Sequence, residues 1–273
     1  MNTTSTIDFD ARSTLWSVIL IGVIGPEVFI VQPGFVQGLV EYLGFDDQGA
    51  GYTASAEMFG LAATTILMTF TAHRLNWQRV VFWSILIMFA ANGLCAFTTD
   101  LNTFVVLRFI AGIGAGSLVS LSFAAVGLTK NPDRNFGFYI MWVLIYGAVV
   151  LLAMPAAYEI SGMKGVLIFF ALFPLIAIPF VHNLPLTGES TAQVEVDAVN
   201  LSPPFKLMAL LAMLAYFMAQ GAVWAYLFLI GTAGGLSEQA VANGLTISQF
   251  SGIAGALLAA LVAKKYGRSI PLA

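Results

Sequence analysis

Residues 207–237 read LMALLAMLAYFMAQGAVWAYLFLIGTAGGLS, a run of 31 residues without a charged side chain. About 20 apolar residues, each adding about 1.5 Å to an α-helix, are enough to cross the hydrocarbon core of a bilayer. The whole chain of 273 residues has the matching composition, because 59% of its residues are hydrophobic, 9% are charged and its mean hydropathy is +0.89. A soluble domain is about a quarter charged, so this composition excludes one.

Seven further segments are long and apolar enough to cross a membrane. Two of them, residues 13–40 and 51–72, carry one acidic residue each. The other five carry no charge and lie at residues 80–99, 109–129, 135–158, 165–188 and 239–263. A backbone in lipid has to satisfy its own hydrogen bonds, which leaves helices or closed barrels, and barrel strands alternate in polarity whereas these runs are continuously apolar. The sequence therefore predicts an all-α membrane protein with eight spans, numbered here in chain order.

Lysine and arginine are distributed unevenly between the two ends of these spans. With the N-terminus in the cytoplasm, one basic residue, Lys164, falls on the outer side. Nine fall on the inner side: Arg12, Arg74, Arg79, Lys130, Arg134, Lys206, Lys264, Lys265 and Arg268. Because inner loops carry the excess of basic residues, we expect a multi-pass protein of the cell membrane, the cytoplasmic membrane if the source is bacterial. Both ends of this chain are then cytoplasmic.

The longest polar segment lies between spans six and seven. Residues 184–205 read LPLTGESTAQVEVDAVNLSPPF, an acidic stretch bounded by prolines. We interpret it as a cytoplasmic loop that divides the chain into two parts. Residues 1–183 form a six-helix bundle, and residues 206–273 form two further helices.

A basic turn follows the second span of each part. Residues 69–79 read TFTAHRLNWQR and residues 260–268 read ALVAKKYGR, at an offset of 191 residues. Turns at corresponding positions indicate that the two parts are related as parallel repeats, an organisation common in transporters.

These turns resemble a motif of the major facilitator superfamily. Proteins of that family have two six-helix halves, a long inner loop and the motif G-x-x-x-D-R-x-G-R-R after helices two and eight. The first copy here has Arg74 and Arg79, and the second has Gly267 and Arg268, while other residues replace the aspartate in both copies. The resemblance implies that these four residues belong to a conformational motif that locks the two halves in one state.

Span four supplies the second match to that family. Residues 108–116 read RFIAGIGAG, which resembles the R-x-x-x-G-x-G-x-G pattern of helix four. Whatever the family, Gly112 and Gly116 lie on one helix face and let another helix approach closely. The resemblance implies a helical bundle made of the N-terminal half and the first two helices of an incomplete C-terminal half. Because the family has twelve helices, we expect the chain to be a fragment truncated after the eighth helix, or one that a second copy completes.

Three charged residues lie inside the predicted spans, namely Glu27, Glu57 and Arg108. Charges at this depth are costly and often functional. Glu27 follows Pro26, which removes a helix hydrogen bond, and a carboxyl beside a broken helix is a typical site for a substrate or a proton. We expect Arg108 to pair with one of the two acids, and the sequence leaves open which one. The structural alternatives are a hydrogen-bonded Glu27 without a transport role and an Arg108 that extends to the outer surface.

Span seven carries Tyr216, Gln220 and Trp224 at intervals of four residues, on one helix face. The resemblance places helix seven beside a central cavity, so we predict that these side chains line it and contact an organic solute. Packing or anchoring at the membrane interface is the alternative.

Two histidines and one cysteine are too few for the clustered ligands of an intramembrane metalloenzyme. We therefore predict no enzyme activity, no metal, no cofactor and no nucleic-acid partner. The resemblance implies a secondary active transporter that moves a small organic solute across the lipid bilayer by alternating access, coupled to protons. The alternative is a transporter-like protein that acts as a sensor or partner subunit, or a fragment without function.

Overall fold

The computed structural model describes residues 9–186 and 202–266, and all regular structure within these ranges is helical. The α-helices in chain order are α1 (Arg12–Ile24), α2 (Glu27–Ile30), α3 (Gln32–Leu43), α4 (Asp47–Thr71), α5 (Trp77–Cys95), α6 (Leu101–Gly127), α7 (Pro132–Leu172), α8 (Pro203–Ala233) and α9 (Glu238–Tyr266). Two 3-10 helices, Ala72–Arg74 and Phe173–Asn183, follow α4 and α7. The predicted all-α class is confirmed.

Five helical segments are long and apolar enough to cross a membrane. They are Trp77–Cys95, Leu101–Gly127, Pro132–Asn183, Pro204–Ala233 and Glu238–Leu258, and together they cover predicted spans three to eight. Predicted span two corresponds to α4, which carries Glu57 and five threonines and falls outside this set. Predicted span one falls outside it because its helix is divided.

The starts of three helices are set by polar side chains that accept from the first free backbone N–H groups. Asp46 accepts from Gly49 over 2.8 Å at the start of α4. Asn76 accepts from the nitrogen of Arg79 over 3.0 Å at the start of α5, and Asp100 accepts from that of Thr103 over 2.8 Å at the start of α6. These caps fix where the basic turn ends and where α4 and α6 begin.

Predicted span one is three short helices, because two prolines interrupt it. Pro26 separates α1 from α2, and Pro33 lies in the first turn of α3. A proline has no N–H to donate and its ring crowds the preceding turn. The kink expected at Pro26 is present, and Val31 adds a second break between α2 and α3.

Predicted spans five and six are joined almost without a loop. The chain bends inside α7 at Gly162, whose φ of 61° and ψ of −170° suit glycine and few other residues. The sequence placed this turn between residues 158 and 165, and Gly162 lies within that interval. Beyond Leu172 the chain tightens into the 3-10 helix that contains Pro174 and Pro179.

Helix α6 lies at the centre of the bundle and packs against α4, α5 and α1. Its contact with α4 is close because it is made by glycines. A Cβ atom at Gly112 would collide with the carbonyl oxygen of Glu57, and one at Gly116 would collide with the carbonyl oxygen of Leu61. Gly60 of α4 meets the carbonyl oxygen of Phe109 in the same way. The two backbones therefore touch beside Glu57.

The last two helices lie against the first part of the chain, with α8 on α3 and α9 on α7. Most of the predicted cytoplasmic loop, together with Gly267 and Arg268 of the second basic turn, lies outside the described residues.

Candidate functional site

The break at Pro26 leaves one carbonyl of span one without its usual helical donor. That carbonyl belongs to Gly22, four residues before the proline. Tyr139 of α7 donates its hydroxyl to this oxygen over 2.9 Å, and its ring packs against the glycine, where a Cβ atom would not fit. A side chain from another helix thus completes the broken backbone, which is how membrane helices tolerate proline.

The same arrangement recurs about two turns later at Pro33. The carbonyl of Phe29 lies four residues before it, and the indole nitrogen of Trp224 donates to that oxygen over 3.2 Å. Span seven is in this way fastened to the break in span one.

Glu27 lies between these two points, at the start of α2, and is 1% exposed. Its Oε1 accepts a hydrogen bond from Asn92 Nδ2 over 3.1 Å. Within the described part of the chain, its Oε2 has no hydrogen-bond partner. A carboxyl buried with one free oxygen can accept a proton or a donor group of a solute.

Arg108 forms an ion pair with Glu57, with 2.6 Å between Nη2 and Oε1. Arg108 is fully buried and Glu57 is 5% exposed. The pair forms because Gly112, one turn after Arg108, brings the backbone of α4 against α6 at the level of Glu57. The structure thus pairs Arg108 with Glu57 and turns it away from the outer surface.

Asn92 of α5 joins this pair to Glu27. Its Oδ1 accepts from Arg108 Nη1, while its Nδ2 donates both to Glu27 and to the carbonyl oxygen of Phe170, the latter over 3.0 Å. Asn92 is not among the residues predicted from the sequence, because an uncharged amide does not stand out in an apolar span. A usable signal was its position one turn before Cys95 on a helix whose other buried residues are small or apolar.

Two further side chains enclose the guanidinium. The ring of Phe35 lies below it, 5.1 Å from ring centroid to Cζ, a favourable distance for a cation and an aromatic face. Cys95 is buried beside Arg108. The cluster of Glu27, Glu57, Asn92 and Arg108 is therefore shielded from solvent.

The charges of this cluster do not balance when both carboxyls are ionised, since two negative groups face one positive group. Burying an uncompensated charge is costly, and a buried acid tends to take up a proton instead. The hydroxyl of Tyr146 lies within electrostatic reach of both acids and is itself buried. The arrangement can hold one exchangeable proton or one cationic group.

Aromatic side chains line a crevice of about 430 Å³ between α1, α7 and the following 3-10 helix. Trp16 and Trp142 meet edge to face with 5.5 Å between ring centroids, and Tyr146 stacks on Phe173 at 5.1 Å. The walls are largely apolar, as a site for a flat organic ring requires.

The three span-seven residues predicted to line a cavity lie in two different environments. Trp224 is half-buried against span one, as described above. Tyr216 and Gln220 are exposed, as are the other side chains of residues 204–220.

The first basic turn is joined to the C-terminal end of span six. Gln78 donates to the carbonyl oxygen of Leu184 over 2.7 Å and to that of His182 over 3.2 Å. Arg74 donates from Nε to the ring of His73 over 3.0 Å, and Arg79 lies in the first turn of α5. The two arginines are thus held at the edge of the bundle, away from the buried cluster.

Comparison with known proteins gives two matches. The sequence profile of the Major Facilitator Superfamily matches residues 17–273. A putative niacin/nicotinamide transporter from Bacillus subtilis (strain 168) is 24% identical over 137 residues, which cover 49% of this chain and 34% of that relative.

Proposed function

The chain belongs to the Major Facilitator Superfamily, and from this premise we propose that it is a secondary active transporter. It moves a small organic solute across the bilayer by alternating access, coupled to protons, and the buried acids supply the coupling. On the predicted orientation it lies in the cell membrane, the cytoplasmic membrane if the source is bacterial, with both ends of this chain inside.

One observation carries the proton coupling, namely the position of Glu27 at the break in span one. The carboxyl is buried, has one oxygen without a hydrogen-bond partner among the described residues, and is linked through Asn92 to the Arg108–Glu57 ion pair. Such a group changes its charge when the local environment opens to water, because burial and neighbouring charges set its proton affinity. Arg108 and Glu57 form the charge partners, and Glu27 is the acid that gains and loses the proton.

The contacts of α8 support alternating access. Trp224 bonds to Phe29, and the Tyr226 hydroxyl donates to the carbonyl oxygen of Asp47 over 2.7 Å. On the predicted orientation these contacts lie toward the outer side of the membrane. Contacts between the two parts of the chain on one side are expected of a carrier that is closed on that side.

The two basic turns hold the two halves of the carrier in one conformational state. Arg74 and Arg79 belong to the first copy of the motif, and Gly267 and Arg268 belong to the second copy. Tyr216 and Gln220 of α8 line the pathway, where they meet solute.

Niacin and nicotinamide are the first solutes to test, because the name of the bacterial relative includes both. Each is a small flat ring with a polar substituent. The aromatic crevice beside Tyr146 has apolar walls on which such a ring can stack.

The decisive experiment measures uptake of labelled niacin and nicotinamide into proteoliposomes, with and without an imposed pH gradient. We expect Glu27→Gln to lose accumulation driven by the gradient and to keep exchange of labelled for unlabelled solute, because a permanently neutral side chain cannot carry the proton. Glu159→Gln is the matched control, since Glu159 is an exposed acid. If gradient-driven uptake by Glu27→Gln equals that of the unaltered protein, the proposed role of Glu27 is wrong.

A further inference from the structure

The side-chain amide of Asn92 reaches three parts of the bundle at once. It contacts Arg108 of α6, Glu27 of α2 and the backbone of Phe170 in α7. Asn92 is 1% exposed, so water does not compete for these bonds. A buried amide that donates twice and accepts once is held rigidly.

The orientation of this amide is fixed by the chemistry of its partners. A guanidinium can only donate, and a backbone carbonyl can only accept. Oδ1 therefore has to face Arg108, and Nδ2 has to face the oxygen of Phe170. Once these two are satisfied, the second N–H of the amide points to Glu27, as observed.

Pro174 explains why the carbonyl of Phe170 is available. In a continuous helix this oxygen would accept from the N–H four residues later, and that residue is Pro174, which has none. Asn92 supplies the missing donor over 3.0 Å. The break in span six and the charged cluster are thus bound to the same side chain.

Resting on the proposed function, we propose that Asn92 is the positioning residue of this site, which holds Arg108 toward Glu57 and ties both acids to the proline break of span six. Because Nη1 of Arg108 donates to Oδ1 of Asn92, the guanidinium is not free to turn fully toward Glu27. The two acids therefore have different roles. The charge of Glu57 is neutralised by its ion pair with Arg108, and Glu27 is left as the group that exchanges a proton.

Other groups near Glu27 complete the setting in which this difference arises. The charged or titratable side chains acting on it or on its partner are Arg108, Glu57, Tyr146 and Cys95. These four groups come from four different helices, namely α6, α4, α7 and α5, and α5 also carries Asn92. Within the cluster, Asn92 is hydrogen-bonded both to Glu27 and to Arg108, the ion-pair partner of Glu57.

Asn92→Leu removes the amide at similar volume and adds no charge. Loss of the amide removes one donor from Glu27, but Arg108 is then free to turn and donate to that carboxyl in its place. Because a charged donor stabilises a carboxylate more than a neutral amide does, we expect the midpoint of the pH dependence of gradient-driven uptake to move to lower pH by about one unit. Met88→Leu is the matched control, because Met88 is buried one turn earlier on α5 and is apolar. A lower rate with an unchanged midpoint, or a midpoint at higher pH, would overturn the positioning role.

Cys95 supplies a second readout that does not depend on transport. It lies beside Arg108, so loosening of the cluster exposes its thiol to N-ethylmaleimide. We expect Asn92→Leu to be alkylated about tenfold faster than the unaltered protein, since a buried hydrogen-bonded network resists local opening, and Met88→Leu to react at the original rate. Cys95→Ser identifies the labelled site. An unchanged alkylation rate in Asn92→Leu contradicts the proposal even if transport proves independent of protons.

Pro174→Ala tests the link to span six. The alanine N–H competes for the carbonyl of Phe170 and releases the amide from it, so we expect a shift in the same direction but smaller. In the double variant Asn92→Leu/Pro174→Ala the shift should equal that of Asn92→Leu alone, because the two changes act through one contact. Additive shifts would show that Pro174 does not act through the contact between Asn92 and Phe170. Failure of Glu27→Gln to alter coupling, together with faster alkylation of Asn92→Leu, would refute the transport role and leave the positioning role intact.

Discussion

Trp224 donates its indole N–H to the carbonyl oxygen of Phe29 across 3.2 Å, and that carbonyl lies one turn before Pro33. The bond joins a helix of the second part of the chain to the broken first span. It is therefore a point at which movement between the two parts can be measured.

Trp224→Phe keeps an aromatic ring and removes the donor. We expect a loss of about 1 kcal/mol in stability, the usual net contribution of a hydrogen bond, seen as a lower midpoint of thermal unfolding in detergent. Trp83→Phe is the matched control, since Trp83 is 62% exposed on α5. Equal effects of the two substitutions would show that the bond to Phe29 contributes nothing.

The hydroxyls of Tyr139 and Tyr158 should differ in importance although both donate to carbonyls of span one. Tyr139 serves Gly22, whose helical donor is absent because of Pro26, whereas Tyr158 serves Gly34 over 3.0 Å inside an intact helix. We expect Tyr139→Phe to lower the free energy of unfolding by about 2 kcal/mol and Tyr158→Phe by less than half as much. Denaturant titration of the purified variants measures both, and the reverse order would contradict the argument.

Glycines at the contact of α4 with α6 tolerate no side chain. Gly112→Ala and Gly116→Ala force the two backbones apart, and we expect each to cost about 2 kcal/mol through overpacking. Both should also reduce the yield of folded protein. Gly127→Ala, at the end of α6 with open space around it, provides the control and should leave yield and unfolding midpoint unchanged.

Removing Arg108 alone should be more damaging than removing it with its partner. Arg108→Gln leaves two buried acids without a cation, at an expected cost of about 4 kcal/mol. Glu57→Gln/Arg108→Gln removes the ion pair as a whole and should recover more than half of that cost. Unfolding midpoints of the single and double variants decide this, and a double variant as unstable as Arg108→Gln would show that Glu57 is not its partner.

Much of the fold follows from the sequence because lipid imposes simple rules. Long uncharged runs identify the helices, and Pro26 marks the break in span one. The position of the turn between spans five and six was also predictable, although its compression into Gly162 was not, since a positive φ is a property of the packed backbone.

The site was less predictable. Charges inside spans identified Glu27, Glu57 and Arg108, but which acid meets the arginine depends on how closely two helices approach. Gly112 indicates the pairing with Glu57 only if α4 is already known to be the helix that packs against it. Asn92 was missed because its role comes from Pro174, a residue 82 positions away on another helix.

Three prolines in this chain each leave a carbonyl that a side chain from a different helix takes up: Pro26 with Tyr139, Pro33 with Trp224, and Pro174 with Asn92. The two residues of each such pair are expected to change together in evolution. A lineage that loses the proline regains the backbone donor and no longer needs the side chain, whereas one that loses the side chain first leaves a polar oxygen bare in the membrane interior. Among descendants of a common ancestor, the two members of each pair should therefore be gained and lost together, with the proline disappearing first.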